Sequence, residues 1–457
     1  MSKSLQQQPT LSRKLETDQS RARLQLRSPA TASLWQWMSS WRFQLKAAAS
    51  LSLGSLLLLL AYLNELHVRK APSLRAADRF SSRQLQLAPQ PQLVAHKADC
   101  DSMGTQSVVQ SSQFCICRRD YWGNRCEFPA AVTKASVSKL DIQRRPSPAL
   151  VINGFMFNME FDHLEIRLEE LSSVVDFFVV AESNYSAHAD PKPLHFALNK
   201  DKFDRFADKI VHVVVDHLPQ TGVRTWEHEK LLRNSIAVLG VPQVEARLEA
   251  EVGGRRLRGD DLLIVNDADE IPSVETVHFL RHYTGYPEHI LIAYRWSIYG
   301  FDCLHESLAT TLFSVATIEH MRQHLEGKSQ AVRNPAEVDE AKHAEEEGGV
   351  FRPHVSFTVG DPQNRRWGGY HCSWCQPPEA LRTKLLSALS GDGVRWGDFE
   401  SKTKLDYLAE LRRTHRWFDG SDACRPMTPL KGEMFAPKFV MDNAQRFDYM
   451  LRHDADL

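Results

Sequence analysis

Three carboxylates stand directly after a buried apolar run in the middle of this chain. Leu262–Val265 has the continuous apolar character of a strand buried on both faces, and Asp267, Asp269 and Glu270 follow it. Ligands of open α/β sheets bind outside the carboxyl ends of the strands. Because no Lys or Arg lies between these acids, a divalent cation held together with substrate phosphates would offset their repulsion. A solvated acidic loop is the alternative, since the Asp-x-Asp spacing also occurs elsewhere in the chain without such a strand.

A second group of side chains suited to chemistry lies in the stretch Trp367–Cys375, which contains His371, Trp374 and a C-x-x-C pair. Tryptophan rings stack on sugars and imidazole hydrogen-bonds to them, so this composition indicates a carbohydrate pocket, with a purely structural role as the alternative for His371. For Cys372 and Cys375 we predict a structural disulfide. A zinc site would need a second cysteine pair at zinc spacing, and a thioredoxin-like pair would open a helix after a first strand.

The hydrophobic pattern predicts an α/β scaffold for these side chains. Short apolar strands alternate with segments of helical periodicity, which is typical of a doubly wound, mostly parallel sheet. A G-x-G-x-x-G motif does not follow the first strand, so a dinucleotide fold of the usual type is disfavoured. The charged stretch Glu326–Gly349 is predicted to be a mobile loop. The predicted strands are Ala149–Ile152, Val174–Ala181, Ile210–Val215 and the strand at Leu262, and the predicted helices cover residues 161–171 and 227–239.

The N-terminal part of the sequence predicts a membrane-anchored protein. Residues 1–46 are rich in Gln, Ser and Arg without apolar periodicity and are predicted to be a cytoplasmic tail. Residues 47–64 are uncharged and apolar, and we interpret them as a transmembrane signal anchor. A cleaved signal peptide is the alternative, but the segment begins late and no Ala-x-Ala site follows it. Residues 65–98 are rich in Arg, Gln and Pro and are predicted to be a stem.

Charge and cysteine usage bound the partners and the compartment. The formal net charge of −1 argues against nucleic acid as a partner. The Lys and Arg residues that flank the anchor do not favour a cytoplasmic N-terminus. The clustered cysteines and the sequon at Asn184 outweigh that count, because both belong in a lumenal compartment. Asn184 is therefore predicted to be a glycosylation site on the lumenal side.

Residues 99–128 resemble the C-terminal half of an EGF-like module. The stretch has a C-x-C pair, an aromatic-Gly turn and a last cysteine at Cys126. The resemblance implies disulfides Cys117–Cys126 and Cys100–Cys115, which would serve as a structural staple. An adhesive role for this half module is the alternative.

Seven short motifs then occur in an order that resembles glycosyltransferase family 17. The resemblance covers roughly residues 150–445, and we assign 148–445 to a catalytic domain. It implies a GT-A-like fold in a single-pass type II Golgi membrane protein. The motifs are Asn153-Gly154-Phe155, Phe161-Asp162-x-Leu164-Glu165, Glu182-Ser183-Asn184, Asp267-Ala268-Asp269-Glu270-Ile271-Pro272, His371-Cys372-Ser373-Trp374-Cys375, Arg395-Trp396-Gly397-Asp398 and Trp417-Phe418-Asp419-Gly420.

The resemblance also implies an activity. It is the inverting, metal-dependent transfer of GlcNAc from UDP-GlcNAc to a mannose of an N-glycan core, in the β-1,4 linkage of a bisecting residue. The expected cofactor is Mn²⁺, and the expected partner is the N-glycan of a glycoprotein acceptor. Cys303 and Cys424 lie outside the shared motifs and are expected to pair with each other.

The expected site residues follow from this activity and from their chemistry. A cation on carboxylates would stabilise the leaving diphosphate, and a carboxylate base would deprotonate the acceptor hydroxyl. An imidazole ligand suits Mn²⁺ better than Mg²⁺. The expected metal ligands are Asp267, Asp269 and His371; the expected catalytic residues are Asp269, Glu270 and Asp398, the last two as candidate bases; the expected donor contacts are Asn153, Glu182 and Asp267; and the expected acceptor contacts are Trp374 and Trp396.

Two other functions remain open at this level. A non-catalytic lumenal lectin or adhesion protein could use the EGF-like half and the aromatic pocket, although the intact Asp267 and Asp269 argue against it. A related transferase could act on another acceptor. Transfer assays on defined glycans distinguish these alternatives.

Overall fold

The computed structural model describes residues 99–109, 114–216, 225–251, 254–288, 290–335, 338, 356–387, 394–430 and 433–451. The predicted tail (1–46), anchor (47–64) and stem (65–98) lie outside the described residues. Within the described ranges, no helix combines the length and the apolar character needed to cross a membrane.

A small module held by disulfides comes first in the described part. It contains the pairs Cys100–Cys115 and Cys117–Cys126, as expected from the sequence. Asp101 ties the module to the rest of the molecule, because its carboxylate accepts hydrogen bonds from Gly104 N and from the Tyr283 hydroxyl (2.9 Å each). The elements of this region are β1 (Thr105–Val109), β2 (Phe114–Cys117), β3 (Tyr121–Trp122), β4 (Phe128–Pro129), α1 (Lys134–Val137) and β5 (Gln143–Arg144).

A ten-stranded sheet forms the centre of the molecule, and one half of it is parallel. Four strands pair in parallel there, in the order β9-β6-β7-β8. Their apolar runs are buried, as expected for strands covered on both faces. The prediction of four strands alternating with helices is confirmed, with boundaries that differ by a few residues. These strands are β6 (Val151–Met156), β7 (Phe177–Ser183), β8 (Ile210–Val215) and β9 (Leu262–Asp267).

The other half of the sheet is mixed, which corrects the expectation of a mostly parallel sheet. β13 runs antiparallel to both β9 and β12, whereas β12 runs parallel to β14 and β15. β12 and β13 follow each other directly in the chain, and a short connection can join only antiparallel neighbours. The remaining strands are β10 (Glu270–Pro272), β11 (Tyr283–Thr284), β12 (Ile290–Ile298), β13 (Cys303–Thr317), β14 (Phe357–Val359), β15 (Gly369–Ser373) and β16 (Arg425–Pro426).

Helices cover both faces of the sheet, so the α/β class is confirmed. Along β9, Leu262 and Ile264 join the core on one face while Leu263 and Val265 join the core on the other. The helices after α1 are α2 (Phe161–Leu171), α3 (Thr225–Ser235), α4 (Val241–Glu251), α5 (Val274–His282), α6 (Ile318–His324), α7 (Ser329–Arg333), α8 (Pro378–Ser387), α9 (Leu405–Thr414), α10 (Lys438–Asp442) and α11 (Asp448–Leu451). A π-helical segment at Ile236–Gly240 joins α3 to α4, and 3₁₀ segments lie at Ala197–Phe206, Pro362–Asn364, Trp396–Asp398 and Glu400–Lys402.

A close approach explains one of the shared motif residues. A Cβ on Gly154 of β6 would lie 2.1 Å from Cγ2 of Ile236 in the π-helical segment. No larger side chain fits there without moving Ile236, so Gly154 sets the distance between the sheet and this helical layer. Gly154 therefore contributes to packing.

Two further disulfides fix the C-terminal part. Cys303 pairs with Cys424, and Cys372 pairs with Cys375, which are the pairs expected from the sequence. The second bridge closes a short loop in which Trp374 has φ 60°. An L-residue rarely adopts this left-handed conformation, so the disulfide loop holds the Trp374 backbone in place.

The prediction of a mobile loop over Glu326–Gly349 is wrong for its first part. Ser329–Arg333 forms α7, and Ser329, Ala331 and Val332 are buried. The charged composition suggested a solvated segment. Arg333 is instead enclosed, because it forms an ion pair with Glu270 inside the protein (2.9 Å).

Candidate active site

An open cavity of about 630 Å³ lies at the edge of the sheet where the parallel strands end. One wall includes Met156 and Ser183, from the ends of β6 and β7, and Asp267 from the end of β9. Another part of the lining includes Trp296 of β12, and His371 of β15 lies next to the acidic motif, with its Nε2 3.7 Å from Asp269 Oδ1. Sheets of this class bind ligands at this edge, so the acidic motif lies where the sequence predicted it.

Asp267 is neutralised by two arginines that lie outside the cavity lining. Arg233 Nη2 is 3.0 Å from Asp267 Oδ1, and Arg333 Nη2 is 3.7 Å from Asp267 Oδ2. Burial by itself would raise the pKa of the Asp267 carboxyl, but the two guanidinium groups outweigh burial and lower it. Asp267 therefore stays ionised, and both of its oxygens face cations of the protein.

Asp269 belongs to a different set of charges. Lys384 Nζ of α8 lies 2.9 Å from Asp269 Oδ2 and 3.6 Å from Glu160 Oε1, while His371 Nε2 is 3.7 Å from Asp269 Oδ1. Burial would raise the pKa of Asp269, but Lys384 and then His371 lower it overall. The same contacts raise the pKa of Lys384 against the effect of burial. The Asp269 carboxylate and the Lys384 ammonium therefore remain charged over the whole pH range in which an enzyme works.

Arg167 of α2 holds the backbone of the acidic motif. Its guanidinium is fully buried, and Nη2 donates to the carbonyls of Asp267 (2.6 Å), Ala268 (3.2 Å) and Glu270 (2.6 Å). Nη1 donates to Asn153 Oδ1 at 2.8 Å. Burial lowers the pKa of Arg167 to about 10, so the side chain is still a cation at neutral pH. One buried side chain thus binds three carbonyls of the segment that carries the carboxylates.

Two residues that were expected to contact the donor, Asn153 and Glu182, point into the protein and do not line the cavity. Asn153 Nδ2 donates to Asn266 Oδ1 (2.8 Å) while its Oδ1 accepts from Arg167. Glu182 is buried and accepts hydrogen bonds from Phe196 N (2.9 Å) and Ala197 N (2.9 Å). These contacts give Asn153 and Glu182 structural partners, because both lie on strands whose side chains enter the core.

Glu270 is also placed inside. Its Oε2 accepts from the Asp267 backbone N (3.0 Å), and its Oε1 pairs with Arg333 (2.9 Å). The side chain is 3% exposed. Glu270 thus lies behind the cavity wall, where it positions Asp267 and Arg333.

Aromatic side chains form the wall opposite the parallel strands. Trp374 packs edge to face on Trp417 (6.1 Å between ring centroids), and both line the cavity. Trp296 stacks on His305 at 3.6 Å and donates from Nε1 to Ser373 Oγ (3.0 Å). Indole rings that border a cavity beside polar neighbours are suited to contact with a sugar ring. Of the two expected acceptor contacts, Trp374 lies in this wall.

Trp396 and Asp398 are not among the residues that line the cavity. Trp396 packs on Phe418 behind Trp417 (6.1 Å), and the Asp398 side chain is 62% exposed and pairs with Arg395 Nε (3.1 Å). Both lie on the 3₁₀ segment Trp396–Asp398, which follows α8 on the outer side of the aromatic wall.

Two of the expected metal ligands lie at a separation that one ion can bridge. Ligands that are each about 2.1 Å from one cation are between about 3.0 and about 4.2 Å apart. The 3.7 Å between Asp269 Oδ1 and His371 Nε2 falls in that interval. Thr310 Oγ1, which is 3.2 Å from His371 Nδ1, holds the imidazole ring from its other side.

A complete protein cage for a metal is absent from the described part of the chain, where no three His, Cys, Asp or Glu side chains converge. Asp267 does not join the pair, because its carboxylate faces Arg233 and Arg333. Asp269 and His371 could therefore serve as two protein ligands of a divalent ion, with positions left for oxygens of a bound substrate, when the ion replaces Ser373 Oγ, which lies 2.9 Å from His371 Nε2.

The sequence relatives match this arrangement of motifs. Residues 130–326 match the sequence model of Glycosyltransferase family 17. Over 343 residues the chain is 35% identical to the beta-1,4-mannosyl-glycoprotein 4-beta-N-acetylglucosaminyltransferase of Homo sapiens, which covers 74% of this chain and 62% of the human protein. The chain belongs to glycosyltransferase family 17.

Two further relatives with the same name support the family assignment. The protein of Rattus norvegicus is 34% identical over 345 residues (74% of this chain, 61% of the rat protein). The protein of Mus musculus is 33% identical over 359 residues (77% of this chain, 64% of the mouse protein). This family 17 chain thus spans less than two thirds of the length of these relatives.

Several charged residues of the family 17 site were missed from the sequence. Arg167 stands on the apolar stripe of α2, three residues after Leu164 and four before Leu171, and a charge on a buried helix face is a signal for an internal partner. Lys384 likewise follows the buried Leu381 by three residues. Arg233 and Arg333 carry no such local signal, because their helices approach the acidic motif only in the folded chain.

The predicted glycosylation site lies beside the cavity. Asn184 follows β7 directly, and the next two residues of its sequon, Tyr185 and Ser186, line the cavity. Ser186 Oγ accepts hydrogen bonds from His188 N and Asp190 N (3.1 Å each), so this segment is folded into a tight loop. Glycosylation of Asn184 stays a prediction.

Proposed function

We propose that this chain transfers GlcNAc from UDP-GlcNAc to a mannose of an N-glycan in β-1,4 linkage, with inversion at the anomeric carbon. The observation that carries the proposal is the pairing of Asp269 with His371 in a cavity that has an aromatic wall opposite, in a chain of family 17. The names of the three relatives describe the same reaction.

The two sides of the cavity suit the two substrates. The parallel strands end on one side, where α/β sheets bind ligands, and we place the nucleotide donor there. The indole rings of Trp296, Trp374 and Trp417 lie on the other side, where a glycan could stack. The acidic motif lies between them, so the sugar to be transferred would meet the acceptor beside Asp269. This division between donor and acceptor halves is the GT-A-like arrangement that we propose for the fold.

Asp269 and His371 are the residues that would hold Mn²⁺. When bound, the ion would act as a Lewis acid that stabilises the charge on the leaving diphosphate. Lys384 adds a fixed positive charge 2.9 Å from Asp269, and its raised pKa keeps it protonated. Asp267 keeps Arg233 and Arg333 in place at the back of the site, so we propose an indirect role for it in donor binding.

Inversion requires a base on the acceptor side of the anomeric carbon, and we propose Asp422 for this role. Asp422 lines the cavity and is accessible, since its side chain is 75% exposed. Its ion pair with Arg416 (2.6 Å) lies at the surface, where such pairs are weak. Glu270 is enclosed with Arg333, and Asp398 lies outside the lining, so neither of these two sequence candidates faces a bound acceptor. A base must reach the proton that it removes, and Asp422 meets that condition.

We further propose the domain organisation inferred from the sequence. Residues 148–445 would form the catalytic domain and 99–128 the EGF-like module, preceded by the stem (65–98), the signal anchor (47–64) and a cytoplasmic tail (1–46). The four disulfides support an oxidising compartment for residues 100–424. We propose the Golgi lumen as that compartment.

A transfer assay tests the activity. The purified lumenal part is incubated with UDP-GlcNAc, Mn²⁺ and a defined biantennary N-glycan, and the product linkage is determined by NMR. We expect one new β-1,4-linked GlcNAc on a core mannose. Asp269→Asn should lose at least about a hundredfold in rate. Its melting temperature should also fall, because Lys384 loses a partner inside the protein, so rates are compared for the folded protein.

Two outcomes would contradict the proposal. Activity of Asp269→Asn within about threefold of wild type would remove Asp269 from the site, and Asp406→Asn, an exposed acid in the first turn of α9, is the matched control. Glycan binding without any UDP release would point to a lectin instead. A new linkage on another sugar would keep the enzyme and change its acceptor.

A further inference from the structure

We propose that Lys192 contacts the diphosphate of the donor. The proposal rests on the function proposed above and assigns a residue of the donor site that none of the seven sequence motifs contains. Lys192 lines the same cavity as Asp267 and Asp269, on the side where the parallel strands end.

The cavity is poor in free positive charge for a ligand that carries a diphosphate. Among the described residues, its lining contains the carboxylates Glu160, Glu229, Asp267, Asp269 and Asp422 but only two ammonium groups, those of Lys192 and Lys384. Lys384 is already shared by Asp269 and Glu160, at 2.9 and 3.6 Å. A dianionic group that enters this cavity therefore needs a further cation.

Lys192 is the lining cation that lacks a partner. Its Nζ is buried and makes no hydrogen bond or ion pair with any described residue. Burial lowers the pKa of its ammonium, an effect that Glu182 and Glu160 offset only in part. A buried ammonium without a partner is unfavourable, and an anionic ligand would remove that penalty. Glu160, which lies 3.6 Å from Lys384 Nζ, also counteracts the lowering of the pKa of Lys192.

The backbone around Lys192 is fixed, so its position is a property of the fold. Lys192 N donates to Asn184 O (2.8 Å), and Tyr185 pairs with Pro191 across the loop. Ala187 N donates to Ser387 O at the end of α8 (3.2 Å), which joins this loop to the helix that carries Lys384. Pro191 has a fixed φ, and Pro193 restricts the backbone of the preceding Lys192 to extended conformations.

The chemistry of the surroundings selects a phosphate as the anion. Ser183, Tyr185 and Val215, which follow or end β7 and β8, line the same wall as Lys192. Nucleotide phosphates bind at this edge of α/β sheets. The acceptor glycan proposed for the opposite, aromatic wall is neutral near its mannose and would not need the charge of Lys192.

A series of ligands isolates the contact. Binding of uridine, UMP and UDP is measured by calorimetry on wild type, Lys192→Met and Lys200→Met, each without metal and with Mn²⁺. Lys192→Met keeps the aliphatic stem and removes the charge, while Lys200 is an exposed lysine on the neighbouring 3₁₀ segment. We expect Lys192→Met to bind UDP roughly ten- to a hundredfold more weakly, which is the loss of one charged hydrogen bond. Uridine binding should be unchanged, and Lys200→Met should bind like wild type.

Thermal melting curves and the ligand series together test whether Lys192 contacts the diphosphate. Removal of an unpaired buried charge should leave the melting temperature unchanged or raise it. Equal weakening of uridine and UDP would show that Lys192 only shapes the loop, and an unchanged UDP affinity would show no contact; either result overturns the proposal. Absence of UDP binding by the wild-type protein would instead overturn the proposed function, on which this inference rests.

Discussion

Asp267 and Asp269 have the same side chain two residues apart, yet the fold gives them opposite surroundings. Asp267 turns to Arg233 and Arg333, whereas Asp269 turns to Lys384 and His371 and is the more enclosed of the two, with 12% of its side chain exposed against 35% for Asp267. Both carboxyls have lowered pKa values. Only Asp269 keeps an oxygen near an imidazole that could share a metal ion.

The role of His371 can be tested by metal titration. His371→Ala should raise the Mn²⁺ concentration needed for half-maximal activity at least about tenfold, the effect typical of losing part of a metal's coordination. If His371 contacts only the acceptor, the acceptor KM will rise and the Mn²⁺ titration will stay as in wild type. His305→Ala is the matched control, because His305 lines the same cavity but stacks on Trp296. Its Mn²⁺ titration should not change.

Three carboxylates compete for the role of base, and kinetics separates them. Asp422→Asn should lower kcat by about 10²- to 10⁴-fold while UDP affinity is kept, because only the proton transfer is lost. Glu270→Gln should instead lower the melting temperature, since it breaks the buried pair with Arg333. Asp398→Asn should change neither quantity much. A selective loss of kcat in Asp398→Asn would move the base to that residue.

At the scale of elements, helix α2 does more than cover the sheet. It carries Arg167 on its buried face, so the helix that packs against β6 and β7 also fixes the turn after β9. The acidic motif is therefore rigid without any bound ligand. This arrangement preorganises the carboxylates, which is the usual requirement for electrostatic stabilisation in an enzyme.

Replacement of Arg167 tests this coupling. Arg167→Met would leave three buried carbonyls without a donor, each of which costs about 1–3 kcal/mol. We expect a melting temperature lower by several degrees and a weaker UDP affinity in the folded fraction. Arg167→Lys should recover part of both. Arg205→Met is the control, because Arg205 is 59% exposed and its ion pairs contribute little. A fully active and fully stable Arg167→Met protein would contradict the role of Arg167 in holding the acidic motif.

At the scale of the whole molecule, the small disulfide module is bound to the catalytic part by specific contacts. The Asp101 carboxylate lies 3.2 Å from His278 Nε2 of α5 and accepts a hydrogen bond from the hydroxyl of Tyr283, which directly follows α5 (2.9 Å). Two of the four disulfides lie in this module and two in the C-terminal part, so oxidation stabilises both ends of the described chain. An oxidising compartment is therefore needed for the stability of both ends of the described chain.

Membrane topology gives a test at this scale. In intact microsomes, residues 99–457 should be protected from added protease, and digestion should require detergent. Loss of the C-terminal region without detergent would overturn the proposed type II orientation. Asn184→Gln reports on the same question, because a glycosylated wild type would run more slowly on a gel than this variant.

Much of this protein was predictable from local patterns. The apolar runs at β6 to β9, the period of α2 and the cysteine spacing each depend on residues close in the chain, so the α/β class, the edge that carries Asp269, and the pairs Cys100–Cys115 and Cys117–Cys126 could be read without coordinates. The shared motifs likewise allowed His371 and Trp374 to be assigned to the site from the sequence.

The partners of these residues depended on contacts between distant segments. Arg333 reaches Glu270 across 63 positions and Lys384 reaches Asp269 across 115, and no local pattern encodes such pairs. For the same reason the sequence assigned Asn153, Glu182 and Glu270 to the site although their side chains point into the core. The strand period reverses the face at every residue, so the direction of a motif side chain is fixed only when neighbouring strands and helices have packed around it.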